Sequence, residues 1–160
     1  MRRQRAFSLI EVMVTLVVVS LAALGTAGLQ TVAVRMNHNA LLESQASTLA
    51  QDIIERIRAN QGGNYTTGFD AVNLIENAPF CAGLAANCSG DDMAQHDLVD
   101  WKCALGFDAI QDVCQARGIP GQLPDGDGSI AIAGNTYVIT VRWYDSAQAA
   151  VRQIAFTAMI

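Results

Sequence analysis

Proline is missing from the first 78 residues of this 160-residue chain, and the first of only three is Pro79. Nothing in that stretch forces a helix to break. Charge is also scarce. Charged residues make up 16% of the chain against 51% hydrophobic ones, and the 23 residues from Val12 to Val34 carry none. A helix needs about 20 apolar residues to cross a bilayer, so this run is long enough. A basic face is missing too. Setting aside Arg2, Arg3 and Arg5 leaves 7 basic against 15 acidic residues, a balance of −8. That acidic body excludes nucleic acid as a partner, because nucleic-acid binding wants clustered Lys and Arg. Internal repeats are absent as well.

The constellations that carry chemistry are also missing. His38 and the pair His96-Asp97 have no nucleophile motif beside them, and both histidines read as solvated surface groups. PDGDGS (Pro124 to Ser129) has Asp at alternate positions, but position 12 counted from Asp125 is Thr136 and not the Glu of a calcium loop. It reads as a turn ahead of a strand. Six residues separate Cys81 from Cys88 and ten separate Cys103 from Cys114, which is poor spacing for zinc. Trp101 and Trp143 read as packing residues. The sequence therefore predicts no enzyme, no catalytic residue, no metal and no cofactor.

What is present divides at the apolar run. The three arginines before it and the acidic body after it fit the positive-inside rule: N-terminus in the cytoplasm, body outside. All four cysteines lie in the body. An even number in an exported domain predicts two disulfides, with three pairings possible. No A-x-A site follows the apolar run, so a secretory signal peptide is not indicated.

The patterning predicts an α+β fold. A helix runs from Phe7 to Asn60, roughly 80 Å at 1.5 Å per residue. Gly25 and Gly28 weaken it locally. Beyond Arg35 the helix turns amphipathic: Leu42, Ala46, Leu49, Ile53 and Ile57 share one face. Asp52, Glu55, Arg56 and Arg58 lie mostly off that face. NQGGNY (Asn60 to Tyr65) is the stop, with Gly62 and Gly63 free to take left-handed conformations. Residues 61 to 128 are loop-rich, with short helices near Asp92–Leu105 and Asp108–Arg117. Three strands follow: Ser129–Ala133, Thr136–Asp145 and Val151–Ile160. Gly134-Asn135 turns the first into the second. Ile139, Val141 and Trp143 share one face, as do Ile154, Phe156 and Ala158. A small antiparallel meander results, packed against the amphipathic half of the helix.

One residue breaks the apolar pattern. Glu11 sits at its start, and a carboxylate in hydrocarbon is expensive unless paired. RAFSLIEVMVTLVVVSLAALGTAGLQ (Arg5 to Gln30) resembles the prepilin signature of type IV pilins and type II secretion pseudopilins. In that family a basic leader precedes a cleavage site, a hydrophobic first mature residue and Glu at the fifth. The resemblance implies cleavage between Ala6 and Phe7, by a prepilin peptidase that then N-methylates Phe7. Ala6 stands where the family normally has Gly. Glu11 would pair with the N-terminal amine of a neighbouring subunit. The implied divisions are a leader 1–6, a transmembrane assembly segment 7–35 and a periplasmic domain 36–160. Within that domain lie the amphipathic helix 36–61, loops 62–128 and sheet 129–160.

Downstream, NHNALLESQASTLAQDIIERIRANQGGNY (Asn37 to Tyr65), AQHDLVDW (Ala94 to Trp101), LPDGDGSI (Leu123 to Ile130) and VITVRWYD (Val138 to Asp145) resemble PilV-type minor pilins, the type IV pilus modification proteins. That likeness implies an inner-membrane protein that joins other minor pilins and the major pilin, primes pilus assembly or sits at the tip, and supports a large tip adhesin. It places the chain in pilus-based adhesion and twitching motility. It also implies the pairs Cys81–Cys88 and Cys103–Cys114, each stabilising by about 2–3 kcal/mol. A type II secretion minor pseudopilin and a membrane-anchored binding module that never polymerises are the competing readings.

Overall fold

The computed structural model describes residues 8–72, 79–81, 87–146 and 148–160. They form two compact units, residues 1–39 and 40–160. Helix α1, Leu9–Ala59, supplies all the secondary structure of the first unit and opens the second. The rest is α2 (Gly90–Leu105), a 3₁₀ turn (Asp108–Ile110), α3 (Gln111–Arg117), and strands β1 (Asp127–Ala133), β2 (Thr136–Asp145) and β3 (Ala150–Met159).

In the second unit, α1 buries the stripe read from the sequence, Leu42, Ala46, Leu49, Ile53 and Ile57, and adds Ala50 and Ile54. These side chains share one core with Ile130, Ile139, Val141, Trp143 and Ala158 from the sheet and with Leu98, Trp101 and Leu105 from α2. Trp101 donates its indole N–H to the carbonyl of Leu49 (2.9 Å). This satisfies the polar edge of a ring that is otherwise buried.

The sheet is an antiparallel meander in the order β1-β2-β3. Ala133 pairs with Thr136 across Gly134-Asn135, and Gly134 takes the positive φ (61°) that a two-residue hairpin turn demands. Ile139 faces Ile130 on one side and Phe156 on the other, so the apolar faces coincide. The outer edge of β1 is closed by a bridge between Thr67 and Ile130.

Helix α2 is capped at both ends. Ser89 accepts from the Asp92 amide, the Asp92 carboxylate accepts from the Ser89 amide, and Gly106 closes the C-terminus. The hydrogen bonds from Ser89 hold the exposed Asp92 carboxyl below the usual carboxylate range. A second, smaller core gathers Val99, Cys103, Phe107, Ile110 and Cys114. Disulfides join Cys103 to Cys114 within it and Cys81 to Cys88 before α2.

The stop after α1 does not use the left-handed freedom of Gly62 or Gly63. Instead the Gly63 amide bonds to the Asn60 carbonyl (3.1 Å), and Asn60 Nδ2 donates to the Gly90 carbonyl (2.7 Å). A Cβ on Gly63 would collide with that Asn60 amide and with Gly90, so glycine is there for close approach. One expectation is corrected: His96 is not a solvated surface histidine. It is buried (8% exposed), bonded to Arg117 and stacked edge-on against Phe80.

Candidate functional site

The first unit has an unusual surface. Every described residue from Ser8 to His38 is exposed, including Leu9 (77%), Leu24 (72%) and Leu29 (73%). Among the described residues, α1 is the one helix long and apolar enough to cross a membrane. Its hydroxyls need no outside partner. Thr15 donates to the Val12 carbonyl (2.8 Å), Ser20 to Val17 (2.8 Å), Thr26 to Ala23 (2.9 Å) and Thr31 to Ala27 (3.1 Å). Back-bonding of this kind lets a polar side chain enter hydrocarbon at low cost.

Glu11 lies in the first turn of α1, where its backbone amide donates to the Ser8 carbonyl (3.0 Å). The helix N-terminus favours a negative charge there. The carboxylate itself is exposed and meets no cation among the described residues. An acid at the head of a charge-free apolar run, unanswered among the described residues, is a charge that a cation would complete. Ala6, Phe7 and the rest of the segment 1–6 lie outside the described residues.

Among the described residues of the second unit, by contrast, every deeply buried charged group has an answer. Lys102, the chain's only lysine, is 1% exposed. It donates to Asp127 Oδ1 (2.7 Å) and to the Gly68 carbonyl (3.0 Å), and lies 4.7 Å from the centre of the Phe107 ring. Burial pulls its pKa below the usual lysine value, while Asp127 opposes that shift. Asp127 also accepts from the amides of Asp70 and Gly128 (2.7 Å each) and from Arg142 (3.3 Å). This cluster ties α2, β1, β2 and the segment around Asp70 together.

A second network joins α1 to α2. Arg56 bonds Asp97 (2.9 Å), and the Tyr65 hydroxyl donates to the other oxygen of Asp97 (2.7 Å). Burial first, then the hydrogen bond to Asp97, pushes the Tyr65 phenol far above its ordinary value. Burial works against the charged Arg56 guanidinium, but Asp97 and Asp52 outweigh it and raise its pKa. Arg152 at the start of β3 reaches Glu43 on α1 (2.6 Å).

The two cysteine pairs implied by the resemblance are present, whereas neither buried charge network was read from the sequence. One signal was available: a single Lys between Trp101 and Cys103 in an otherwise apolar helical turn. Among the described residues, no group of three or more His, Cys, Asp or Glu is arranged to hold a metal ion.

Two family descriptions match the chain. The prokaryotic N-terminal methylation motif covers residues 1–27, and the Tt1218-like family, described as type IV pilin Tt1218, covers residues 28–99. No curated protein and no solved structure matches it. Pilins are structural subunits, and the methylation motif implies processing by a prepilin peptidase and assembly with other pilins. The apolar helix and the motif fit membrane anchoring followed by pilus incorporation. The two matches adjoin without a gap over the first 99 residues, and together they make the chain similar to prepilin-type pilins.

Proposed function

We propose that this chain is a minor pilin of the PilV type, and that Glu11, exposed at the head of an apolar run and met by no cation among the described residues, is its assembly device. Prepilin peptidase cuts between Ala6 and Phe7 and methylates the new amine of Phe7. The chain waits in the inner membrane with its N-terminus cytoplasmic and residues 36–160 periplasmic. On entering the filament, Glu11 pairs with the amine of a neighbouring subunit, in an apolar setting where each charge alone is costly. The body then joins other minor pilins in the complex that primes the pilus or caps its tip, with a large tip adhesin as a further partner. The N-terminal methylation motif and the downstream resemblance to PilV-type chains support this reading.

The test is Glu11→Ala in a cell with its own pilus machinery. The variant should remain in the membrane and disappear from sheared pili. Incorporation at the wild-type level would remove the proposed role and favour an anchor that never polymerises.

A further inference from the structure

The two outer edges of the sheet differ. The edge of β1 is closed where the Ile130 amide donates to the Thr67 carbonyl (2.8 Å) and the Thr67 amide donates back to Ile130 (3.1 Å). Among the described residues, nothing pairs with the outer edge of β3. Along that edge every second residue turns its amide and carbonyl away from β2. Exposed edges are normally blunted by lysine, proline, a bulge or a covering segment. The sequence of β3, AVRQIAFTAM, has no lysine or proline, and its one charge, Arg152, is bonded to Glu43 (2.6 Å). Its pairing with β2 runs unbroken from Thr136–Met159 to Asp145–Ala150, so no bulge turns the edge away.

In place of a cover there is a groove of about 750 Å³, between Phe156, Thr157, Ala158 and Met159 on β3 and Thr48, Gln51, Asp52, Ile54, Glu55 and Arg58 on α1. Two features define what fits it. The inward side chains of β3 are incompletely covered: Ile154 and Phe156 are half-buried, whereas Ile139 and Val141 beside them on β2 are fully buried. The α1 wall is acidic, with Asp52 and Glu55 against Arg58. The ion pairs of these two acids, with Arg56 and Arg58, lie at the surface, where such pairs are weak enough to be shared.

We propose that the outer edge of β3 is a docking site for an extended segment of a different protein, which adds a fourth strand to the sheet. Its inward side chains are apolar and extend the cover over Ile154 and Phe156, with one lysine or arginine among them facing Asp52 and Glu55. A second copy of this chain does not fit. Antiparallel pairing of β3 with β3 reverses the direction of α1 residues 40–59, and two chains of one topology in one membrane do not meet that way. Parallel pairing turns Gln153, Ala155 and Thr157 of the copy toward α1, and none of them is basic. The donor of the strand is then another protein of the same pilus. That source rests on the function proposed above; the edge itself is tested without a pilus, so each can fail alone.

The probe is a ten-residue peptide that alternates threonine with valine, with one central valine replaced by lysine. It is titrated to about 1 mM into the oxidised full-length protein in detergent. Hydrogen exchange should slow roughly tenfold at the β3 amides that face away from β2 and stay unchanged in β1. The same peptide with every amide N-methylated keeps the side chains, loses the donors and should protect nothing. Glutamate in place of lysine should weaken binding roughly threefold, and Asp52→Asn with Glu55→Gln should erase that difference. No protection by the parent peptide, or equal protection by the methylated one, would refute the docking edge. Equal binding of the lysine and glutamate peptides would refute the basic partner. Protection of β3 that grows with protein concentration in the absence of peptide would make a second copy the occupant and overturn the proposal.

Discussion

Two stretches of one helix answer to different surroundings. Residues 12–34 of α1 bury nothing among the described residues, while residues 42–57 bury seven side chains. Neither contains proline, so nothing breaks the helix in either; the first is rich in Val, Thr and Gly, weak helix formers in water, and suits an apolar setting in which every backbone group must be satisfied within the helix. They differ in pattern. The first stretch is apolar all round, and a helix of that kind needs hydrocarbon or other helices on every side. The second confines its apolar residues to one stripe, which a sheet and α2 cover. Periodicity decides what each stretch is buried against.

Substitution should separate the two stretches. Ile53 is fully buried in the shared core, and Ile53→Asp would place an unpaired carboxylate there. The expected loss is at least about 4 kcal/mol, enough to unfold a domain of this size. Val18→Ala in the exposed stretch should leave the thermal midpoint of the body unchanged. Circular dichroism melts of the two variants in one detergent check the pair, and similar midpoints would erase the distinction.

A second contrast is between the two lone charges, Glu11 and Lys102. Glu11 has no partner among the described residues, whereas Lys102 is enclosed by Asp127, Gly68 and Phe107. Lys102→Met leaves Asp127 buried without its main cation and should cost about 3–5 kcal/mol in urea unfolding. Glu11→Gln should not shift the same midpoint at all. A neutral outcome for Lys102→Met would mean that Arg142 alone can hold Asp127.

The smallest expected effect is at the start of α2. Ser89→Ala removes half of a capping box and should cost about 1 kcal/mol. The Asp92 carboxyl is held below its ordinary range by Ser89. Its contribution is therefore complete above the unfolded value of about 3.9 and fades as pH drops through the lower folded value. An acid melt series from pH 5 to 2 should show a shallower decline in Ser89→Ala than in the wild type.

Much of this fold is legible in the sequence because it depends on short-range pattern. The stripe on α1, the alternation in Thr136–Asp145 and the Gly134-Asn135 turn each specify a local geometry, and the structure contains all three. The strand ends differ by one or two residues, since Asp127 and Gly128 already pair with Arg142 and Val141. The charge networks were not legible. Asp127 lies in a stretch that reads as a turn, and only the fold brings it to Lys102, 25 positions away. His96 misled for the same reason: its burial is supplied by Arg117 and Phe80, neither of which its own helix contains. Glu11 stands out in the sequence because of the run of apolar neighbours beside it.

The most direct test of the account is the N-terminus itself. The chain should be purified from membranes of a cell with its native prepilin peptidase, then subjected to N-terminal sequencing and intact mass measurement. The account predicts a single species that begins at N-methylated Phe7, with the residues through Ala6 removed. A chain that still begins at Met1 under native expression would contradict it and leave α1 as a membrane anchor outside any filament.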